Sequence, residues 1–382
     1  MKIHRPPAYL VLPCVLAGSV FAAAPPAYLP LEIGDPEFDS VATTRGAGAG
    51  WVYTGPTPLN EVLLRPATAS EWWDGRALRL LPGHSAMHEI AGEFDTGDRL
   101  FVGINALVEA DDGPAGELRL ELVDRNGVLE AGVRPVGADW RRGFTTLELP
   151  RDAVGPCQVR IRNDGSSAII VDKCSVAKEI ADPEGFAPLF NGKDLEGWTG
   201  NLDGYGVEDG AIRTFPNRAG GNLYTTDEFD DFAFRFAFKV PPGANNGIAI
   251  RAPLGGDAAY QGMEVQVLEN SHPKYAGLKP WQFHGSVYGI APALRGYQGP
   301  PGTWNHQEIR ADGRRITVVL NGKVIMDIDL DRALSGGSLS GRDHPGAART
   351  SGHLGFCGHG DVVHFKDLRL RPNSGTPVAP AR

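Results

Sequence analysis

The sequence has no surplus of positive charge: 37 Lys and Arg stand against 46 Asp and Glu, a net charge of -9. That balance gives no electrostatic footing for nucleic acid, whose binders are usually basic. Helical periodicity is also missing. Apolar residues alternate in twos nearly throughout, and 50 Gly with 30 Pro supply the turns that many short strands need. Long apolar runs are confined to the N-terminus, where Lys2, His4 and Arg5 precede "AYLVLPCVLAGSVFAAA". This run is too short to span a bilayer comfortably and is read as an export signal, residues 1–23, cut after Ala22 or Ala23 because Pro25 hinders a later cut. Pro13 before Cys14 and the shortness of the preceding apolar stretch argue against lipidation. No other stretch is a membrane candidate, so the expectation is an exported protein, periplasmic or extracellular.

Cysteine is scarce too. With Cys14 removed, Cys157, Cys174 and Cys357 remain. In an oxidising compartment Cys157 and Cys174 are expected to form a disulfide, because "CQVRIRNDGSSAIIVDKC" reads as a hairpin. Cys357, in "HLGFCGHG", is then free and is read as part of a packed strand rather than as a catalytic thiol.

What is present is an all-β chain of two β-sandwich domains. Over residues 27–180 the runs "RLFVGINALVE", "GELRLELVD", "FTTLELP", "CQVRIRN" and "AIIVDKCSVAK" are separated by turns such as Asn126-Gly127 and Asp164-Gly165. The layout resembles jelly-roll carbohydrate-binding or galactose-binding-like modules. Trp51, Trp72 and Trp73 are either sugar platforms or core residues; the adjacent pair cannot both point inward from one strand. Pro183 and Gly185 mark a seam, the second domain covers residues 184–372, and the Pro/Ser/Gly-rich residues 373–382 are expected to be disordered.

In the second domain "DFAFRFAFKV" sets Phe232, Phe234, Phe236, Phe238 and Val240 on one face. "GIAIRAP" buries Ile248 and Ile250, and Asn321-Gly322 is a strong hairpin signal inside "RRITVVLNGKVIMDIDL". These features indicate a two-sheet jelly roll of the lectin and glucanase type, with one sheet curved around a sugar-binding face. In "YQGMEVQVLEN", Met263, Val265 and Val267 belong to the core, while Glu264 and Gln266 share the opposite face and Glu269 falls out of phase.

Several phrases in order carry a family resemblance: "GFAPLFNGKDLEGW", "GGNLYTTDEFDDFAFRFAFKVPPGANNGIAIRAP", "AYQGMEVQVLEN", "PPGTWNHQEIRADGRRITVVLNGKVIMDIDL" and "GHLGFCGHGDVVHFKDLRLRP". Over about residues 185–371 the chain resembles the 3-keto-disaccharide hydrolase family. The resemblance implies a concanavalin A-like fold and an exported bacterial enzyme acting on glycosides already oxidised to a ketone at C3. Such a ketone acidifies the C2 proton; a base removes it, the C1 substituent leaves, and water adds, giving net hydrolysis.

Matching the family's strands implies that Glu264 is the general acid or base and that Arg251 orients substrate or stabilises the enolate oxygen. It further implies that His359, in "GHGD", acts as acid or carbonyl polariser, and that Gln266 and Asn246 bind sugar hydroxyls. His284, Tyr288, Trp281 and Tyr297 lie in a Gly/Pro-rich stretch, residues 270–302, able to fold over the site. The plainer alternative for Glu264 and Arg251 is a cross-strand ion pair. His353 and His364 are read as strand residues, and Asn191-Gly192 and Trp198 as serving the fold. A divalent metal gripping the keto-enolate suits the chemistry, yet no zinc-type spacing is present and no ligands can be assigned.

Two other functions compete. A laminarinase-like retaining glycosidase needs E-x-D-x-x-E, and here Gln266 occupies the place of the Asp and cannot carry its charge. A non-catalytic glycan-binding protein would use the same face without releasing anything.

Overall fold

In the computed structural model the described residues are 27–31, 51–54, 62–63, 77–109, 116–139, 141–181, 185–215 and 221–373. The export signal with Cys14, the pair Trp72 and Trp73, and residues 374–382 of the tail lie outside them.

Two all-β sandwiches follow one another along the chain. The first stacks two antiparallel sheets. One runs Val62–Leu63, Ala77–Leu80, Ile169–Ile180, Arg99–Val108, Arg141–Glu148, with Ala27–Leu31 also on Ile169–Ile180. The other runs Val52–Thr54, Ser85–Ile90, Cys157–Asn163, Gly116–Asp124, Gly127–Val136. Leu100, Val102 and Ile104 of one sheet meet Leu118, Leu120 and Ile161 of the other in the core between them. Trp51 is wholly buried in that core, its ring edge-on to His88 at 5.1 Å, so it is no sugar platform.

The expected disulfide does not form. Cys157 and Cys174 are both free and buried. The strands carrying them are not a hairpin: Cys157–Asn163 pairs with Ser85–Ile90 and Gly116–Asp124, and Ile169–Ile180 belongs to the opposite sheet. The turn at Asp164-Gly165 therefore crosses the sandwich rather than folding a strand back on itself. A register shift between Asp172 and Ser175 further displaces Cys174. Burial pushes the two thiols up, to about 11 for Cys157 and about 12 for Cys174.

The second sandwich packs an eight-stranded sheet on a five-stranded one. The larger runs Tyr205–Glu208, Ala211–Thr214, His364–Pro372, Phe232–Lys239, Trp304–Asp312, Arg315–Leu320, Lys323–Asp329, with Ala187–Pro188 on His364–Pro372. The smaller runs Trp198–Gly200, Gly221–Phe229, Gly352–Gly358, Asn245–Ala252, Met263–Leu268. Alternation alone explains how they meet. Phe232, Phe234, Phe236 and Phe238 leave the larger sheet on one face and pack on Ile248, Ile250, Met263, Val265, Val267 and Phe356. Each fully buried Phe contributes roughly 1.5–3 kcal/mol over leaving it in water.

The Met263–Leu268 strand ends its sheet, but its outer edge is not bare. Gln266 N donates to Ser286 O at 2.9 Å, Gly285 N to Gln266 O at 2.8 Å, and Tyr288 N to Glu264 O at 2.9 Å. Residues 285–288 thus lie alongside it, with Val287 bridged to Val265. The two sandwiches also touch: a Cβ placed on Gly322, at the Asn321-Gly322 turn, would stand 2.4 Å from the Cβ of Ala177.

Candidate active site

Pairing of Asn245–Ala252 with Met263–Leu268 sets Asn245 opposite Leu268, Gly247 opposite Gln266 and Ala249 opposite Glu264. These six share the outer face of the smaller sheet, while Val265 and Val267 face the core. The next strand adds Gly355 and Cys357 to the floor, and Tyr224 stands beyond it; Tyr224, Ala249 and Cys357 pack together. Small residues thus make a low floor, and Glu264 rises at its margin. Gly247 is part of that design: a Cβ there would stand 1.8 Å from Glu264 Oε1.

Above this floor lies a cleft of about 310 Å³, lined by Glu264, Gln266, Asn245, Tyr260, Tyr275, Tyr288 and His359 among others. Glu264 is only 5% exposed, and its buried Oε1 has no hydrogen-bond partner among the described residues. His359 Nε2 stands 3.8 Å from that oxygen, with its own side chain 45% exposed. The carboxylate beside it raises the His359 pKa above the usual histidine range, against the opposing effect of burial. Beneath them Cys357 is held well above the ordinary thiol range, by burial first and then by the charge of Glu264, which keeps it a thiol and a packing residue.

Gln266 continues the polar line. Its Nε2 donates to Gln282 O at 3.2 Å and its buried Oε1 lacks a partner among the described residues. Gln282 Nε2 in turn donates to the Tyr288 hydroxyl at 3.1 Å. At the other end Arg342 lies 3.5 Å over the Tyr260 ring and 3.8 Å from Asp257, with His344 against the same ring at 4.4 Å. Tyr260 is therefore already covered and forms a wall rather than a stacking platform.

Four of the residues expected at the site stand elsewhere. Arg251 is 1% exposed and turned away to the end of the sheet. It has a positive φ of 48°, within a register shift against the neighbouring strand between Ala249 and Ala252. Its guanidinium donates to Asp231 Oδ1 at 2.6 Å, Asp230 O at 3.0 Å and Gly313 O at 2.8 Å. The ion pair it makes is thus with Asp231, not with Glu264. Asn246 shares the phase of Ile248 and Ile250, is fully buried, and accepts from Gly247 N at 2.9 Å; its neighbour Asn245 lines the cleft instead. His284 is a core residue stacked on Phe238 at 5.0 Å, and burial pushes its pKa down to about 4. Trp281 does not line the cleft but meets the Tyr288 ring edge-on at 5.0 Å.

Glu269 has both oxygens engaged, accepting from Gly243 N at 2.8 Å and Ser271 N at 2.9 Å, and is absent from the cleft lining. Glu269 is thus not presented as the second carboxylate that a retaining glycosidase needs. His353 and His364 sit in strands, as expected, near Glu228 at 3.4 Å and Glu208 at 3.1 Å. Among the described residues no three His, Cys, Asp or Glu side chains converge as a metal site.

Tyr260, Asn245, Gln282 and Arg342 went unread in the sequence. Asn245 was accessible from strand phase, since it alternates with Ile248. Tyr260 is brought in by the short helix Ala258–Gln261, whose N-terminus Asp257 caps by accepting from Ala259 N at 3.1 Å. Arg342 arrives from a distant loop and left no local signal.

The profile of the 3-keto-alpha-glucoside-1,2-lyase-like domain family matches residues 185–371. The second sandwich, residues 185–371, belongs to this family. Among curated proteins it is similar to the 3-keto-disaccharide hydrolase of Bacteroides thetaiotaomicron, 25% identical over 233 residues, covering 50% of this chain and 79% of that protein. Among solved structures, a provisionally assigned glycosyl hydrolase from Parabacteroides distasonis is 29% identical over 49% of this chain and 98% of its own, with a TM-score of 0.44. The carbohydrate-binding module CBM66 of Bacillus subtilis is 11% identical over 46% of this chain and 95% of its own, with a TM-score of 0.29. The family match begins only after the first sandwich has ended.

Proposed function

We propose that the cleft cleaves 3-keto-glycosides, with Glu264 as the proton-transfer group. The observation that carries this reading is the Glu264 carboxylate: nearly buried, one oxygen without a hydrogen-bond partner, and aimed at the cleft beside His359. A carboxylate held in this way is placed to take a proton from a ligand seated in the cleft. In the reaction Glu264 takes the C2 proton, and the C–H electron pair passes into the enolate of the C3 ketone. Return of that pair forms the C1–C2 double bond, restores the ketone and expels the C1 oxygen substituent, which picks up a proton. Water then adds across the double bond, hydroxyl at C1 and hydrogen at C2, for net hydrolysis. The charge on His359 steadies the carboxylate between turns and faces the developing negative charge. Gln266 and Asn245 offer amide groups to sugar hydroxyls.

The test is release of the C1 substituent from a 3-keto-glucoside and from its parent glucoside. Release from the keto form alone, lowered about 10³-fold in E264Q, is expected. Full turnover by E264Q would end the assignment; release from the parent glucoside would favour ordinary glycosidase chemistry, and binding without release a lectin. The same reading includes export, which N-terminal sequencing of the protein recovered from its native host checks: a start just after residues 22 or 23 supports it.

A further inference from the structure

The family match leaves the first sandwich without a role, yet one of its fully buried cations points at the second. Arg142 is wholly inaccessible to water. Its guanidinium donates to Lys173 O at 2.7 Å and Asn105 Oδ1 at 3.2 Å, and also to Ser175 Oγ. These bonds fix the plane of the fork. Its face lies 4.9 Å from the centroid of Tyr297, which belongs to the second sandwich and is itself buried. Lys173 and Lys323 approach the same ring at 5.8 and 5.6 Å. One residue before, Gly296 O accepts from Asn105 Nδ2 at 3.1 Å. One residue after, Gln298 Nε2 donates to Leu268 O at 3.0 Å.

Leu268 is the last residue of the strand that carries Glu264 and Gln266. The next residue but one, Asn270, accepts from His284 N at 2.9 Å, just where the chain turns into residues 285–288 along the cleft edge. A continuous set of bonds thus runs from a buried arginine of the first sandwich to both sides of the cleft. The links at Gly296, Leu268 and His284 are buried and made to main chain, and Arg142 joins them through the Asn105 side chain and the Tyr297 ring.

We propose that the first sandwich is a positioning unit for the cleft, gripping residues 296–298 through Arg142 and Asn105 and so fixing the Glu264 strand and its edge partner. Arg142 and Tyr297 act through other residues and touch no substrate. The inference rests on the cleft being the site of cleavage, and its test has one arm that does not.

That arm is amide hydrogen exchange in the full chain. R142M and Y297L are expected to speed exchange at Gly285 and Tyr288 at least tenfold, with the Phe232–Lys239 strand unchanged. The kinetic arm uses a 3-keto-glucoside: both variants raise KM about tenfold with kcat within threefold, whereas Y297F, which keeps the ring, stays within threefold of wild type in both. If R142M does not fold, Y297L and N105A carry the same comparison. Wild-type exchange at Gly285 and Tyr288 in Y297L and N105A overturns the proposal, as does a Y297F enzyme as impaired as Y297L. A wild-type protein inert toward 3-keto-glucosides, with exchange responding as stated, leaves the brace standing and removes only the catalytic reading.

Discussion

Gly247 offers the sharpest single substitution. Its φ lies outside the left-handed region, so alanine suits the backbone, and the three atoms nearest its Cβ are Glu264 Oε1 at 1.8 Å, Cδ at 2.5 Å and Cγ at 2.6 Å. Ordinary contact begins at 3.4 Å, so the carboxylate must retreat by well over an ångström or swing to another rotamer. A misplacement of about 1 Å in a reacting group costs on the order of 10²-fold in rate. Meanwhile alanine in a strand interior is worth about 0.5–1 kcal/mol over glycine, through the unfolded chain. G247A is therefore expected to lose about 10²-fold in kcat/KM on a 3-keto-glucoside while its melting temperature stays level or changes by a few degrees. Paired kinetics and calorimetry check this. A G247A protein with wild-type turnover would show that the position of the Glu264 carboxylate does not matter to the reaction, whatever its stability.

The other predictions concern charge. The His359 pKa is raised by Glu264, so the folded protein holds the imidazolium beyond the unfolded value of about 6.5. The stabilisation from that pair is fully present below 6.5 and fades as pH rises through the folded pKa. Activity should show an alkaline limb there, which H359Q removes; the limb persisting in H359Q would assign it to another group. His284 behaves oppositely: it resists protonation down to about pH 4, while the unfolded chain takes up a proton near 6.5. Stability should therefore drop as pH falls through that window, by about 2 kcal/mol between pH 7 and 5, and urea unfolding of H284N against wild type at those two pH values reads the difference. R251M should cost about 2–3 kcal/mol of stability, since it strands Asp231 and several carbonyls, while the folded fraction retains its kcat. A large fall in kcat at unchanged stability would restore Arg251 to the site.

Strand phase made much of this legible. Glu264 and Gln266 against Met263, Val265 and Val267, and the four phenylalanines from Phe232 to Phe238, follow from a period of two with no knowledge of partners. The same rule, carried on from Ile248 and Ile250, places Asn246 inward and Asn245 outward, against the reading of Asn246 as a sugar ligand. Arg251 defeats the rule, because a positive φ and a register shift break the alternation at that residue. Cys157 and Cys174 defeat it differently: alternation fixes which face a residue takes, but not whether the next strand joins the same sheet. Arg342, Asp257 and the grip of Arg142 on Tyr297 depend on segments that meet only in space, and no local pattern encodes them.

The strand-like seating of residues 285–288 also bears on how a ligand gets in. That segment covers the free amides and carbonyls of the Glu264 strand, so lifting it away would bare a sheet edge able to recruit another molecule's backbone. A lid that opened at every turnover would carry a standing risk of aggregation. A ligand entering from the side where His359 stands would leave that edge covered, and this wall of the cleft is in the first place a seal on the sheet.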